Sequence, residues 1–376
     1  MDVLVCGAGV AGAALAYWLR HHRFTPTVVE RAPGVRTGGY ATGLRGEALD
    51  VLDRMALLDQ VRALDLRLGG AAMTDEDALP VAIRPTDVEI LRDDLAGLLY
   101  QATCGEVEYV FDDSIATLEQ TDADVRVTFD RGRPRRFDLV AGADGLHSRT
   151  RSLVFGPQER FVRHLGLYTA VFGLPGRFGG RVHRVPGKAA GVLVTRDGSR
   201  ARAALHFASG PLAYNRDDHG QHKHIVAERF AGQGRLVRRL LAEMWEAENL
   251  FFEANAQVEM DRWYAGRVVL VGDAGYCAAP SSGRGASQAL IGAYILAGEL
   301  ATAGDQAEAF AAYEREMRGF VAEHQQMGRE GADQFFLGPP PEEELGTTVA
   351  RPHLVRLRNY APGLAAERSS PGRAAR

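Results

Sequence analysis

The sequence is poor in cysteine and has no long apolar run. Its three cysteines, Cys6, Cys104 and Cys277, are too few for a disulfide framework and are typical of the reducing cytoplasm. The longest apolar stretch, residues 10–19, is shorter than the roughly 20 residues that span a bilayer. It also lacks the basic start and cleavage pattern of a signal peptide. We therefore expect a soluble, cytoplasmic protein with no membrane partner.

Lysine is also rare, and the net charge is small. Only two of the 44 basic residues are lysines, and the formal net charge is −4 with no long run of one sign. Nucleic acid is not an expected partner, because a phosphate-binding surface needs a cationic excess. Hydrophobic residues make up 46% of the 376-residue chain, enough to bury a sizeable core in two or three domains.

A glycine-rich turn stands between a predicted strand and a predicted helix. The apolar residues 2–6 are followed by Gly7-Ala-Gly9-Val-Ala11-Gly12, and apolar residues then recur at helical spacing. Gly7 permits a tight turn, Gly9 lets a pyrophosphate approach the backbone, and Gly12 lets the helix pack closely on the strand. The turn predicts a dinucleotide site.

The next predicted strand, residues 25–30, ends on an acidic residue. Glu30 lies 18 residues after Gly12, where a carboxylate can accept a hydrogen bond from a ribose hydroxyl. These residues alone do not distinguish NAD from FAD.

Two further segments carry a family resemblance. Residues 138–148 (DLVAGADGLHS) and 272–285 (GDAGYCAAPSSGRG) follow the glycine turn in a specific order and spacing. Together, the three segments resemble the signatures of the single-component (class A) FAD-dependent aromatic monooxygenases, the p-hydroxybenzoate hydroxylase family. The resemblance covers about residues 1–330 and is closer to antibiotic-tailoring and tetracycline-inactivating members.

This resemblance implies a set of FAD-binding residues. Asp273 would accept hydrogen bonds from hydroxyl groups of the ribityl region. Residues 280–285 would place main-chain atoms close to the isoalloxazine ring. Arg45 would lie beside the flavin and Arg92 near the pyrophosphate. The full set is Gly7, Gly9, Ala11, Gly12, Glu30, Arg31, Arg45, Arg92, Asp144, Asp273, Pro280, Gly283, Gly285 and Ala286.

The resemblance also implies the reaction. NADPH or NADH would transiently reduce FAD, and O2 would then form a C4a-hydroperoxide on the flavin. One oxygen atom would pass to an aromatic or polycyclic small molecule, most simply by hydroxylation, in a setting such as antibiotic biosynthesis or other secondary metabolism. Because the flavin carries the bond chemistry, no catalytic base is assigned.

The implied fold is α/β, with a doubly wound (Rossmann-like) FAD-binding domain and an inserted mixed or antiparallel β-sheet substrate domain. We expect the FAD domain to comprise residues 1–65, 90–160 and 260–303, and the substrate domain residues 66–89 and 161–259. A C-terminal helix would span residues 304–338, followed by an irregular tail, residues 339–376. Tyr168, His206 and Tyr214 are candidate substrate-pocket residues.

Some residues depart from the family pattern or belong to none. Gly275-Tyr276-Cys277 stands where relatives often have histidine, and Ser287 where many have asparagine, which leaves flavin gating and substrate fit open. His219, His222 and His224 lack the carboxylates or cysteines that would complete a metal site. We expect no metal there, but a solvated helix start capped by Asp217 or Asp218.

Other functions share parts of this sequence pattern. A flavin-dependent halogenase should show a Trp-x-Trp-x-Ile-Pro stretch, which the isolated Trp18, Trp245 and Trp263 do not form. An NAD-dependent dehydrogenase explains only the glycine turn. An FAD-binding protein without monooxygenase activity stays open, as do epoxidation and Baeyer–Villiger insertion. The substrate, the choice of NADPH or NADH and the oligomeric state are not determined by the sequence.

Overall fold

The computed structural model describes residues 1–35, 40–66, 88–175, 178, 181–195, 198–337 and 355–360. The strands, in chain order, are β1 (Asp2–Cys6), β2 (Thr25–Glu30), β3 (Ala41–Leu44), β4 (Val88–Leu91), β5 (Glu108–Phe111), β6 (Ile115–Gln120), β7 (Val125–Phe129), β8 (Arg135–Phe137), β9 (Leu139–Gly142), β10 (Val162–Leu174), β11 (Arg181–Val185), β12 (Lys188–Val194), β13 (Ala201–Ala208), β14 (Leu250–Val258), β15 (Tyr264–Ala265) and β16 (Val268–Leu270). The helices are α1 (Val10–His21), α2 (Glu47–Arg54), α3 (Leu58–Ala63), α4 (Arg92–Gln101), α5 (Arg149–Phe155), α6 (His219–Arg229), α7 (Arg235–Glu246), α8 (Asp273–Tyr276), α9 (Gly285–Thr302) and α10 (Gln306–Leu337).

A six-stranded sheet in the order β15-β16-β9-β1-β2-β5 carries the three glycine-rich segments. Its pairs from β16 to β5 are parallel, and β15 joins as an antiparallel edge strand. The central strands are buried on both faces, which explains their continuous apolar runs. Helices α1 and α9 cover one face in the largest core, with Leu15, Leu19, Leu290 and Ile291 fully buried.

A second sheet covers the other face of this sheet, where a doubly wound fold would have helices. Strands β6, β7 and β8 form a three-stranded antiparallel sheet. Its Ile115, Val125 and Val127 pack with Leu4 and Val140 of the parallel sheet. Amphipathic strands of this kind bury one apolar face as effectively as a helix does.

A second, five-stranded antiparallel sheet has the order β11-β12-β13-β10-β14. Helices α6 and α7 cover one of its faces and bury Phe230, Leu240 and Met244 against it. Strand β13 alternates between buried and half-buried residues along its whole length. This period of two separates a helix-covered face from a face turned toward the parallel sheet.

Most of the expected elements are present, and the α/β class with parallel and antiparallel sheets is confirmed. Three strands were not predicted: β3, which pairs with β4; β14, which lies beside β10; and the short edge strand β15. Asp218 caps α6, as expected of one of the two aspartates. However, His222 is buried rather than solvated, because it stacks on Phe252. Most of segment 66–89 and of the tail 339–376 lies outside the described residues.

Candidate functional site

The carboxyl ends of four parallel strands meet in one row of the sheet. Cys6 is in register with Val29 on one side and Gly142 on the other, and Gly142 is in register with Leu270. The backbone ladder continues one residue further, with Ala143 N donating to the Cys6 carbonyl at 2.8 Å. The three glycine-rich segments therefore leave the sheet side by side, where open α/β sheets bind their ligands.

The first turn has two closely packed glycines and one open one. Gly7 has φ +105°, and a methyl group added to it would lie 2.6 Å from the Ala143 carbonyl oxygen. A methyl group on Gly12 would come within 3.0 Å of the Gly7 carbonyl carbon and closer still to its oxygen. At Gly9, an added methyl group meets nothing within 4 Å. Space for a ligand is therefore left over Gly9 alone of these three.

Helix α1 begins immediately after this open position. Gly9 is its N-cap, no side chain caps it, and its first turn holds no acidic residue. The first N–H groups of a helix have no intrahelical partners, and the helix dipole places partial positive charge there. An anionic pyrophosphate fits this end of the helix.

Glu30 is buried at the end of β2, next to the same turn. Its carboxylate accepts hydrogen bonds from the backbone N–H of Ala8 and of Ala32, both at 2.9 Å. A carboxylate can accept hydrogen bonds in about four lone-pair directions, and a ribose hydroxyl is a donor of the kind it accepts. The following Arg31 is exposed.

The second segment is organised by Asp144. Its carboxylate accepts hydrogen bonds from the Ser148 hydroxyl and from both the backbone N–H and the hydroxyl of Thr150 at 2.9 Å. Its side chain therefore holds the start of α5, and its backbone faces the first turn, where an added methyl group on Gly7 would lie 3.0 Å from the Asp144 Cα.

A buried arginine that was not singled out from the sequence joins the second segment to the third. Arg151 is fully buried, and its guanidinium donates to the Leu146 carbonyl at 2.6 Å and to the Ala274 carbonyl at 2.8 Å. Burial lowers the pKa of this guanidinium, while Asp144 and Cys277 raise it. Its position three residues after Ser148 was the only available signal, and the chain contains too many arginines for that signal to stand out.

The third segment folds back over the first. A methyl group on Gly272, which has φ +65°, would lie 2.9 Å from the Ala11 side chain. Asp273 begins the short helix α8, and a methyl group on Gly285 would lie 3.7 Å from an Asp273 carboxylate oxygen. Pro280–Ser282 forms a 3-10 turn, and α9 starts at Gly285 with no side-chain cap and no acidic residue in its first turn. Ala286, in that turn, is buried.

Two predicted arginines flank the third segment. Arg45 forms an ion pair with Glu89 at 3.1 Å, and an added methyl group on Gly283 would lie 3.8 Å from its guanidinium. Desolvation lowers the pKa of Arg92, but Tyr40, Asp273, Cys277 and Glu253 together raise it above its ordinary value. Arg92 is thus held as a cation at the Asp273 end of the site.

The five-stranded sheet turns one face toward these segments. Phe251 contacts Tyr40 with ring centroids 5.1 Å apart. The Glu253 carboxylate lies 3.1 Å from a ring nitrogen of His147, and Arg202 donates to Asp93 at 3.1 Å. On the same face, Thr169 and His206 are in register and hydrogen-bonded at 2.9 Å. The second ring nitrogen of the site-facing His147 bonds the Gln158 side chain at 2.8 Å.

The three candidate pocket residues do not lie together. His206 is on the site-facing side, but Tyr168 pairs with Phe207 on the helix-covered side, stacks on Phe252 and accepts a hydrogen bond from Leu212 N–H at 2.8 Å. Tyr214 packs against the same core. The difference arises from strand alternation, since neighbouring residues point to opposite faces.

Comparison with known proteins agrees with this architecture. The FAD binding domain family matches residues 1–326, and the chain belongs to that family. A flavin-dependent monooxygenase from an unknown prokaryotic organism is 37% identical over 381 residues, which cover 95% of this chain and 98% of that protein. An uncharacterized protein of Mycobacterium tuberculosis (strain ATCC 25618 / H37Rv) is 45% identical over 376 residues, 95% of this chain and 99% of that protein.

Among solved structures, tetracycline destructase Tet(55) is 37% identical, with a TM-score of 0.81 and 92% of both chains covered. The chain is an FAD-dependent monooxygenase, and NADPH or NADH is the reductant typical of such enzymes. The open space over Gly9 and the uncapped α1 fit an FAD pyrophosphate.

Neither a membrane-spanning helix nor a metal cluster is found in the described ranges. None of the helices in this part of the chain is both long and apolar enough to cross a membrane. Within the same residues, no group of three or more His, Cys, Asp or Glu side chains is arranged to hold a metal ion.

Proposed function

We propose that this enzyme hydroxylates a planar, polycyclic aromatic small molecule held between FAD and the five-stranded sheet. The observation that carries the proposal is the two-sidedness of that sheet. Its site-facing side presents Phe251, Thr169 and His206 toward the glycine-rich segments, whereas its other side is closed by α6 and α7. An aromatic surface with a few polar groups is the usual lining of a site for a flat ligand.

The similarity to Tet(55) supports this substrate class. Tet(55) is a tetracycline destructase, and the two chains align over 92% of their lengths. A tetracycline is a fused polycycle with phenol and enol groups, and such electron-rich carbons suit oxygen insertion. The same features support a role in modifying antibiotics or other secondary metabolites.

We assign FAD to the residues around the strand ends. The backbone of Gly7, Gly9, Ala11 and Gly12 would hold the pyrophosphate together with Arg92, and Glu30 with Arg31 the adenosine half. Asp144 shapes the adjoining loop, and Asp273 would accept ribityl hydroxyl bonds. Arg45, Pro280, Gly283, Gly285 and Ala286 would surround the ring.

When bound, FAD supplies electron transfer from NADPH or NADH and activation of O2. The protein supplies position, charge and exclusion of water. The open start of α9, with 18 residues behind it, would stabilise negative charge at the ring edge that it faces. The contact between Tyr40 and Phe251 closes one side of the site, and desolvation there raises the pKa of Tyr40 to about 12, so its phenol keeps its proton. The need for reduced nicotinamide favours action in the cytoplasm.

The same arrangement supports two domains. Residues 1–65, 90–160 and 260–303 would form the FAD domain and residues 66–89 and 161–259 the substrate domain, with α10 beside both.

The test is reconstitution with FAD, followed by NADPH oxidation with and without a panel of tetracyclines and other polycyclic phenols. Substrate-stimulated oxidation, with a product that has gained one oxygen atom by mass spectrometry, is the expected result. Bound FAD without stimulation by any polycycle would refute the substrate class. Product analysis also separates ring hydroxylation from epoxidation and from Baeyer–Villiger insertion.

A pair of variants tests the sheet face. His206→Ala should raise KM for the substrate and leave FAD affinity unchanged, because His206 faces the site. The matched control is Tyr214→Phe, on the helix-covered face, which should leave both quantities unchanged. Equal effects of the two changes on KM would contradict the assignment of the site-facing side.

A further inference from the structure

The loop before α9 contains a strained residue. Ala279, which is not a glycine, has φ +74°, in the left-handed region that a side chain disfavours. It immediately precedes the Pro280–Ser282 turn, the segment assigned above to the flavin ring. Strain of this kind persists only where the surroundings determine the backbone, and it clusters at functional sites.

The surroundings that hold this loop come from α10. A methyl group on Gly328 would lie 2.8 Å from the Gln257 side-chain nitrogen and closer still to the Ala278 carbonyl oxygen. A methyl group on Gly331, one helical turn later, would lie 2.6 Å from the Ser281 carbonyl oxygen. Glycine at these two positions lets the helix backbone rest directly on the loop.

Buried polar side chains lock the same contact. The Gln257 amide nitrogen donates to the Ala278 carbonyl at 3.1 Å and to the Gln325 carbonyl of α10 at 2.6 Å. The Ser281 hydroxyl donates to the Gly328 carbonyl at 2.6 Å, and the Ser281 N–H donates to the Asn255 side chain at 3.0 Å. Asn255 and Gln257 are buried on β14, so the loop is clamped between β14 and α10.

We propose that Gly328 and Gly331 of α10 are positioning residues that set the place of the 279–283 loop against the flavin. The inference rests on the proposed FAD site. Gly328 lies against the loop and the Gln257 side chain, and Gly331 lies against the loop, through which both glycines act on the reaction. A side chain at Gly328 would push the Ala278 carbonyl by about 1 Å or more to reach normal contact distance. A displacement of about 1 Å at a reacting centre can cost on the order of 100-fold in rate.

The experiment compares Gly328→Ala with Gly319→Ala in the full-length protein loaded with FAD. Both changes replace a glycine of α10 with the better helix former, but a methyl group on Gly319 meets nothing within 4 Å. The measurements are the FAD dissociation constant, the reduction potential of the bound flavin, its visible spectrum and the fraction of NADPH consumed that appears as hydrogen peroxide.

We expect Gly328→Ala to weaken FAD binding at least about 10-fold, to shift the potential and to raise peroxide release, with Gly319→Ala like the wild type. If Gly328→Ala does not fold, Ser281→Ala decides the question, because it removes the link to the Gly328 carbonyl without adding volume. It should shift the same quantities in the same direction, by less. Unchanged FAD affinity, potential and peroxide release in the folded variants would overturn the inference. A wild-type protein that takes up no FAD would instead overturn the proposed function.

Discussion

The open position in the first glycine turn yields a prediction that separates ligand binding from folding. Gly9→Ala adds a methyl group into space where nothing lies within 4 Å. Gly9 has φ −73° and ψ −172°, which alanine adopts without strain. Because alanine is a poorer N-cap than glycine, we expect the FAD-free protein to lose at most about 1 kcal/mol of unfolding free energy.

FAD binding should respond quite differently to the same change. On the proposed assignment of FAD, the pyrophosphate approaches the α1 N–H groups through the space over Gly9. Hydrogen bonds to a charged group contribute about 1.5–3 kcal/mol each. Displacing the phosphate from one such bond should therefore weaken FAD binding by about 10- to 100-fold.

The control is Gly12→Ala, three residues along the same turn. Its methyl group would collide with the Gly7 carbonyl, so it should destabilise the FAD-free protein itself, by about 1–3 kcal/mol or more as overpacking does. Urea unfolding of the FAD-free variants and fluorescence titration with FAD measure the two effects. If Gly9→Ala binds FAD as tightly as the wild type, the pyrophosphate does not lie over Gly9 and the reasoning is refuted.

Three further predictions concern buried or charged groups. Arg151→Met should cost about 3–5 kcal/mol in urea unfolding by leaving the buried Leu146 and Ala274 carbonyls without donors, whereas Arg149→Met, at an exposed site on the same helix, should cost under about 1 kcal/mol. Arg92→Met should weaken FAD binding by about 10-fold or more, since a cation beside Asp273 is removed, and equal affinity in titration would count against its assigned role. Burial, together with Arg284, lowers the pKa of His324 from 6.5 to about 3. Between these two pH values the unfolded chain binds a proton at His324 and the folded protein does not. Stability should fall as the pH drops below 6.5, by up to about 1.4 kcal/mol per pH unit, and His324→Leu should flatten the unfolding profile between pH 7 and 4.5, while the exposed His219→Leu should not.

Local sequence determined the elements that depend on neighbouring residues. The apolar run of β1, the turn from Gly7 to Gly12 and the helix α1 are short-range patterns, and each was predicted at its observed place within a few residues. The order and spacing of the three motifs then indicated the family, and the family indicated the cofactor and the reaction class. Such features can be predicted from the sequence because tight turns and helical faces are determined by residues only a few positions apart.

Tertiary structure decided what depends on long-range pairing. Whether Tyr168 or His206 faces the site follows from the register of β10 with β13, and a shift of one residue would exchange their faces. Arg151 bridges two segments that are far apart in the chain. The contact between Gly328 of α10 and the loop likewise joins distant segments. An arginine or a glycine is compatible with many local settings, so nothing in its own neighbourhood marks it. Only the packing of sheet, loop and helix gives these residues their roles.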